Sequence, residues 1–206
     1  MSNIDLHLDK LRKARERGLI DQHGLYGLQW GHPDERKDLV AVRDRFLWPL
    51  IHPDKIAVEI GPGGGRWTRY LVPCRTLYVV DLYAELLEEL KRNFHVPNMV
   101  FIQNSGTDFP GMAPMSADLI FSYGTFVHFE LPMISTYLTS IANILRPGGD
   151  VVLQYADKTK PVGAATPSFP DCDPARMAAL VRDHGFTIVD QDDVTLNNSG
   201  IIRFTR

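Results

Sequence analysis

Cysteine is nearly absent from this chain of 206 residues: only Cys74 and Cys172 occur, far apart. That scarcity excludes a disulfide-stapled scaffold and any cysteine-rich metal cluster, and it points to a reducing, cytoplasmic setting. Long apolar runs are also missing. Nothing approaches the roughly 20 residues that a bilayer span requires, so no membrane span is expected. The first eighteen residues, MSNIDLHLDKLRKARERG, carry charge throughout, with no apolar core of the kind a secretory leader needs. An excess of one charge is lacking as well. Net charge is −3 with acids and bases interspersed, which argues against a chain built mainly to grip nucleic acid, and no such partner is expected. Internal repeats and low-complexity tracts are absent. No cluster of His, Cys, Asp or Glu has metal-ligand spacing; Asp173, placed before Pro174, reads as a helix cap and not as a ligand.

What is present is the composition of one ordinary globular domain, 44% hydrophobic and 23% charged. Apolar residues at Ile4, Leu8, Leu11 and Leu19 suggest an amphipathic helix, followed by a loop rich in glycine and aromatics, GLIDQHGLYGLQWGHP. Pro33 then opens a second helix with Leu39, Val42, Phe46, Leu47 and Leu50 on one face. From Lys55 onward, short apolar runs alternate with helical periodicity. Strands are expected at 56–60, 77–80, 99–102, 119–121, 151–154, 186–189 and 200–204, with helices at 83–94, 131–145 and 176–184. Arg146-Pro147-Gly148-Gly149 reads as a helix stop and turn. This alternation means a mainly parallel sheet covered on both faces. The last two strands leave no room for a crossover helix, so the final one is expected to run antiparallel. The division is residues 1–32, an N-terminal helix with a possible lid loop, and residues 33–206, one α/β domain of Rossmann-like type with seven strands.

In an open sheet of this kind, ligands bind at the carboxyl ends of the strands. The first strand-to-helix turn reads VEIGPGGGR (58–66). The dinucleotide fingerprint G-x-G-x-x-G fails here because Arg66 stands at its third glycine position. The spacing is G-x-G-x-G, preceded by Glu59 and followed about twenty residues later by Asp81 at the end of the second strand, where an acid can accept ribose hydroxyls. EIGPGGGRWT resembles motif I of class I S-adenosylmethionine-dependent methyltransferases, and VVDL resembles the acidic loop after their second strand. ADLIFSYGTFVHF and LRPGGDVVL are similar to their fourth- and fifth-strand motifs. The resemblance spans roughly residues 55–155. It implies a class I fold, S-adenosylmethionine as cofactor, a methionine pocket shaped by Glu59, Gly61, Gly63 and Gly65, and ribose binding by Asp81; Ser122 joins the cofactor set through the fourth-strand motif. The aspartate that often follows the third strand in relatives is replaced. Ser105 stands there, so adenine is expected to meet the Ser105 hydroxyl and the Gly106 backbone, with Asp108 as a turn or helix cap.

Methyl transfer to a hydroxyl or amine needs a group that takes up a proton. His128, seven residues after Phe121, is the candidate general base, since its ring titrates near neutrality; packing against the next helix is the alternative. Tyr123 is read as a pocket wall, and Tyr155 and Asp157, at the end of the fifth strand, as candidate substrate contacts. Residues 158–174 hold four prolines and form a long loop, expected to be a lid, a binding loop or disordered. Tyr26, Trp30 and His32 sit in the N-terminal loop, with Trp30 either a substrate contact or an anchor. His7, His23, His52, His95 and His184 read as surface or packing residues. GLQWGHP, FVHF and YADKTKP are similar to segments of methyltransferases of glycan or polysaccharide assembly, and Ser122-Tyr123-Gly124-Thr125 stands where base and glutamine methyltransferases carry N/D-P-P-Y/F. A small-molecule or saccharide acceptor, methylated at oxygen, is therefore expected; the other readings are a non-catalytic cofactor-binding subunit and a nicotinamide oxidoreductase.

Overall fold

The computed structural model describes residues 27–206. The helix expected at residues 4–19, and with it His7, His23 and Tyr26, lies outside them. Seven strands form one sheet: β1 (Ile56–Ile60), β2 (Thr76–Asp81), β3 (Met99–Gln103), β4 (Ala117–Ser122), β5 (Leu145–Ala156), β6 (Thr187–Asp192) and β7 (Ser199–Thr205), in the order β3-β2-β1-β4-β5-β7-β6. Strands β1 to β5 are parallel, and β7 lies antiparallel between β5 and β6. The six residues between β6 and β7 permit only a tight reversal, as the short spacing predicted.

Every central strand is apolar on both sides, and alternation sorts its residues between two cores. Val58 and Ile60 of β1, Ile120 of β4 and Val151 and Leu153 of β5 join one core. It is closed by Ile134, Leu138 and Ile141 of α4 (Leu131–Ile144) and by Met177 and Val181 of α6 (Pro174–Asp183). Ala57, Leu119, Phe121 and Val152 face the other way. There they meet Leu39 and Val42 of α1 (Lys37–Val42), Leu71 of α2 (Thr68–Leu71) and Leu87 and Leu90 of α3 (Ala84–Asn93). Helix α6 starts where the sequence placed its cap: Arg176 N–H donates to Asp173 Oδ1 at 2.8 Å.

Three local expectations change. The helix opened by Pro33 begins regular winding only at Lys37, and past Val42 it loosens to a π-type turn, Arg43–Leu47, and then tightens to a 3-10 turn, Trp48–Leu50. Residues 146–149 are not a turn between elements. Strand β5 starts at Leu145, and a bulge absorbs them, pairing Ala117 with Leu145 but Leu119 with Asp150. The stretch 158–174 is an ordered strap with a short helix α5 (Pro161–Ala164), tied down by Lys158 N–H to Cys172 O at 2.8 Å and by Lys160 Nζ to Leu196 O at 2.6 Å and Ser199 O at 2.7 Å. Among the described residues no helix is long and apolar enough to cross a membrane.

Candidate active site at the strand ends

Chain order reverses at β1: β2 and β3 extend the sheet on one side, β4 and β5 on the other. Loops diverge at such a point and leave a crevice. Four of them are stitched together there by hydrogen bonds to backbone carbonyls. Gly61 N–H donates to Val80 O at 2.8 Å, which sets the glycine turn beside Asp81. Asn104 N–H donates to Asp81 O at 3.0 Å and brings in the end of β3. From β4, Ser122 Oγ donates to Ile60 O at 2.8 Å and Thr125 Oγ1 to Gly61 O at 3.3 Å. The turn itself needs glycine: Gly61, Gly63 and Gly65 have φ of +68°, +56° and +99°, a region in which side chains are strained.

Two carboxyl groups lie buried beside this turn. Asp81 Oδ1 accepts from Tyr83 N–H at 3.0 Å, and burial pushes its carboxyl up to about 6. Glu59 projects to the α2 side, where Thr68 Oγ1 donates to its Oε2 at 2.6 Å. Complete burial, reinforced by the charge of Asp81, carries Glu59 up to about 8 even though the Thr68 bond favours the ionised form. A carboxyl held neutral by the fold contributes stability that is full below its ordinary value of 4.5 and lost as pH rises through 8. Melting of the ligand-free protein should therefore fall from about pH 5 to about pH 8 through this group. Glu59→Gln should flatten that part of the slope in a pH series of thermal melts; an unchanged slope would place the titration elsewhere.

The other predicted site residues divide into two groups. Ser105, exposed, spends its hydroxyl proton on Asp108 Oδ1 at 2.9 Å, and its N–H donates to the same oxygen at 2.7 Å, so Asp108 holds a turn, one of its two expected roles. The Gly106 carbonyl accepts from Tyr137 OH and from Asn104 Nδ2, leaving Asn104 Oδ1 buried with no partner among the described residues. Tyr123 lies against Trp67, ring centroids 4.6 Å apart. His128 ends a 3-10 turn after β4 and is exposed; its Nδ1 stands 3.2 Å from Ser168 O, and its ring meets Phe169 edge-on, which ties the turn to the 158–174 strap. A carbonyl only accepts, so Nδ1 carries the proton and the basic lone pair of the neutral ring belongs to Nε2.

Tyr155 and Asp157 do not stand open to a ligand. Tyr155 is fully buried, its hydroxyl accepting from Gln191 Nε2 at 2.8 Å. Asp157 is buried in a turn where its Oδ1 accepts from Thr159 N–H and Oγ1, while its Oδ2 is buried with no hydrogen-bond partner among the described residues. The Tyr155 hydroxyl thus meets β6, and Asp157 Oδ1 holds the start of the strap. Trp30 keeps 44% of its surface exposed, and its carbonyl accepts from Arg36 Nη1 at 2.8 Å. His184 closes α6 and bonds to Ser135, a packing role. Among the described residues no group of His, Cys, Asp and Glu gathers as a metal site would, and both cysteines are free and buried.

Sequence reading missed Thr68, Thr125 and Gln154, whose Oε1 accepts from Gly124 N–H at 2.7 Å. It also passed over Arg66, noticed only as a broken glycine pattern. A basic residue set directly behind a glycine turn was the available signal.

Residues 57–149 match the family model described as a methyltransferase domain. No curated protein sequence matches the chain significantly. Many solved structures do. An S-adenosylmethionine-dependent methyltransferase from Mesorhizobium loti superposes with a TM-score of 0.68 at 12% identity, over 84% of this chain and 100% of that one. Another from Aquifex aeolicus gives 0.69 at 14%, over 95% and 96%. Magnesium protoporphyrin IX methyltransferase from Synechocystis, with bound SAH, gives 0.63 at 18%, over 87% and 85%. At such identities the likeness is one of fold, and the fold is the Rossmann-like fold of these methyltransferases.

Proposed function

We propose that the protein is an S-adenosylmethionine-dependent methyltransferase acting on a small-molecule or saccharide acceptor at oxygen, with His128 as general base. The methyltransferase and cofactor parts are supported by the domain match over residues 57–149 and by the fold. One observation carries the reading to this chain's residues: the Gly61–Val80 bond sets a glycine turn of strained φ directly beside the buried carboxyl of Asp81. The residues fit the cofactor. The turn presents backbone without side chains, Asp81 and Glu59 are acceptors with no basic partner among the described residues, and Asn104 Oδ1 is a buried acceptor short of a donor. Gly61, Gly63, Gly65 and Ser122 would shape the methionine end and Asp81 would hold the ribose. Ser105 can still accept, and Gly106 offers open space beside its Cα at the adenine end.

When bound, S-adenosylmethionine supplies an electrophilic methyl group on sulfonium. The protein's part is alignment, exclusion of water and proton uptake. His128 Nε2 takes the acceptor's proton, and the Ser168 carbonyl opposite Nδ1 fixes the tautomer and steadies the resulting imidazolium. Tyr123 and Trp30 would flank the acceptor, and the N-terminal loop within residues 1–32 would close over it. Two free thiols suit a reducing, cytoplasmic setting.

Purified protein incubated with S-adenosylmethionine and fractionated cell extract should form S-adenosylhomocysteine. Asp81→Ala should weaken S-adenosylhomocysteine binding by about 1–3 kcal/mol, measured by calorimetry, through loss of charge-assisted hydrogen bonds. Equal affinity would remove Asp81 from the ribose site. Tight binding without turnover on any fraction would favour a non-catalytic subunit.

A further inference from the structure

Strand β5 buries an amide where every neighbour is apolar or aromatic. Val151, Val152, Leu153, Tyr155 and Ala156 flank Gln154, itself only 5% exposed. Alternation turns it to the face of Val152 and away from Leu153 and Tyr155. A buried amide is costly unless its groups are bonded, and here both ends are. Oε1 accepts from Gly124 N–H at 2.7 Å, and Nε2 donates to Ser199 Oγ at 2.8 Å. The orientation is not free. Ser199 Oγ gives its proton to Asn198 Oδ1 at 2.8 Å, so towards Gln154 it can only accept. The amide must therefore keep its nitrogen on Ser199 and its oxygen on Gly124. Ser199, fully buried, is held in turn by Lys160 Nζ, which donates to its carbonyl at 2.7 Å.

What this relay fixes is the turn Tyr123-Gly124-Thr125. Ser122 pairs with Leu153, which places Gln154 level with the turn. Thr125 joins the turn to Gly61, and Tyr123 packs on Trp67. No described atom lies within 4 Å of a Cβ added to Gly124, so the turn borders open space on that side. The proposed cofactor residues lie mainly at the ends of β1, β2 and β3, which leaves the ends of β4 and β5 to the acceptor.

We propose that Gln154 is a positioning residue for methyl transfer. By holding Gly124 N–H it sets the wall between cofactor and acceptor, and it touches neither. The proposal rests on the methyltransferase reading of the same crevice. A shift of about an ångström in such a wall is enough to cost up to about a hundredfold in rate.

Wild type, Gln154→Leu, Gln154→Glu and Ser199→Ala test this. Hydrogen exchange, followed by mass spectrometry on the ligand-free protein, is read on peptides covering 122–126 and, for comparison, 58–66 and 79–83. Calorimetry gives S-adenosylhomocysteine affinity. A cell-extract fraction that supports S-adenosylhomocysteine formation gives rate against S-adenosylmethionine concentration. Gln154→Leu should speed exchange in 122–126 by about tenfold or more, while 58–66 and 79–83 keep wild-type exchange. It should lower kcat by about ten- to hundredfold, with KM for S-adenosylmethionine and affinity for S-adenosylhomocysteine unchanged. Gln154→Glu should restore both, since a carboxyl group in either protonation state keeps an oxygen for Gly124 N–H. Wild-type exchange at 122–126 in Gln154→Leu overturns the proposal. So does faster exchange there with an unchanged rate, or a Gln154→Glu protein as slow as Gln154→Leu. A general rise in exchange with a fall in S-adenosylhomocysteine affinity also overturns it, because a core residue with no selective role behaves in that way. Should Gln154→Leu fail to fold, Ser199→Ala, which releases the amide, must show the same local pattern and Gln154→Glu must not. If wild type neither binds S-adenosylhomocysteine nor forms it with any fraction, the methyltransferase reading falls, and exchange at 122–126 still decides whether Gln154 sets the turn.

Discussion

His128→Ala should lower turnover by roughly 100-fold or more while S-adenosylhomocysteine affinity stays at the wild-type value. As the proposed base, the ring would accept the proton at Nε2, with Nδ1 facing the Ser168 carbonyl and favouring that tautomer. Cofactor binding is left intact in this account because Gly61, Asp81 and Ser122 are joined by bonds that do not pass through His128. Added imidazole should restore part of the lost rate, which a purely structural histidine would not allow. A fully active variant would leave His128 with the role its contacts with Ser168 and Phe169 already show, a tether between the turn after β4 and the 158–174 strap. Steady-state rates with and without imidazole, beside a calorimetric titration, decide between these.

The largest effect on stability is expected from Gly61→Ala. Two costs add at this position. With φ at +68°, any residue bearing a Cβ pays roughly 1–2 kcal/mol for a left-handed backbone. The new methyl would also press into Thr125, with Cγ2 at 2.8 Å and Cβ at 2.9 Å, and overpacking of that kind costs about 1–3 kcal/mol. A short β-branched side chain has little room to retreat, and moving it breaks the Thr125–Gly61 bond that joins β4 to the turn. The sum, about 2–5 kcal/mol, corresponds to a fall in Tm of about 5–15 °C in a domain of this length. Gly148→Ala is the matched control, with φ of +75° and nothing within 4 Å of the added Cβ. It should lose only the backbone part. Equal losses in the two variants would mean that Thr125 yields freely and that the turn is not locked to β4.

Much of this was legible before any coordinates. Short apolar runs placed five of the seven strands within two residues, and β5 and β6 less closely, because a strand buried on both faces reads as a continuous apolar run bounded by turn residues. The antiparallel β7 followed from chain length alone, since no crossover helix fits between residues 192 and 199. Asp173 was recognisable as a cap because an acid before Pro174 has few other uses. The bulge at 146–149 was not legible. Proline and two glycines signal a turn locally, and only the pairing of Leu145 with Ala117 shows that the strand has already begun. The surroundings of Tyr155 and Asp157 were not legible for a related reason. Standing at a strand's carboxyl end places a residue near the crevice, but only the packing puts the Tyr155 hydroxyl on Gln191 and Asp157 Oδ1 in the Thr159 turn.

The glycine turn illustrates the division most clearly. Sequence by itself determined that 58–66 is a strand–turn–helix junction, since spacing and residue type are local properties and only glycine takes those φ values at low cost. Tertiary structure alone decided what surrounds it: Val80, Ser122 and Thr125 come from elements twenty to sixty residues away, and no local rule encodes which of them will bond to it. The same holds for Arg66. In sequence it is a residue that spoils one motif; in the folded chain it is a buried cation beside Tyr123 and Gly31, because charge is written in the sequence but its compensation depends on which acids the fold brings near.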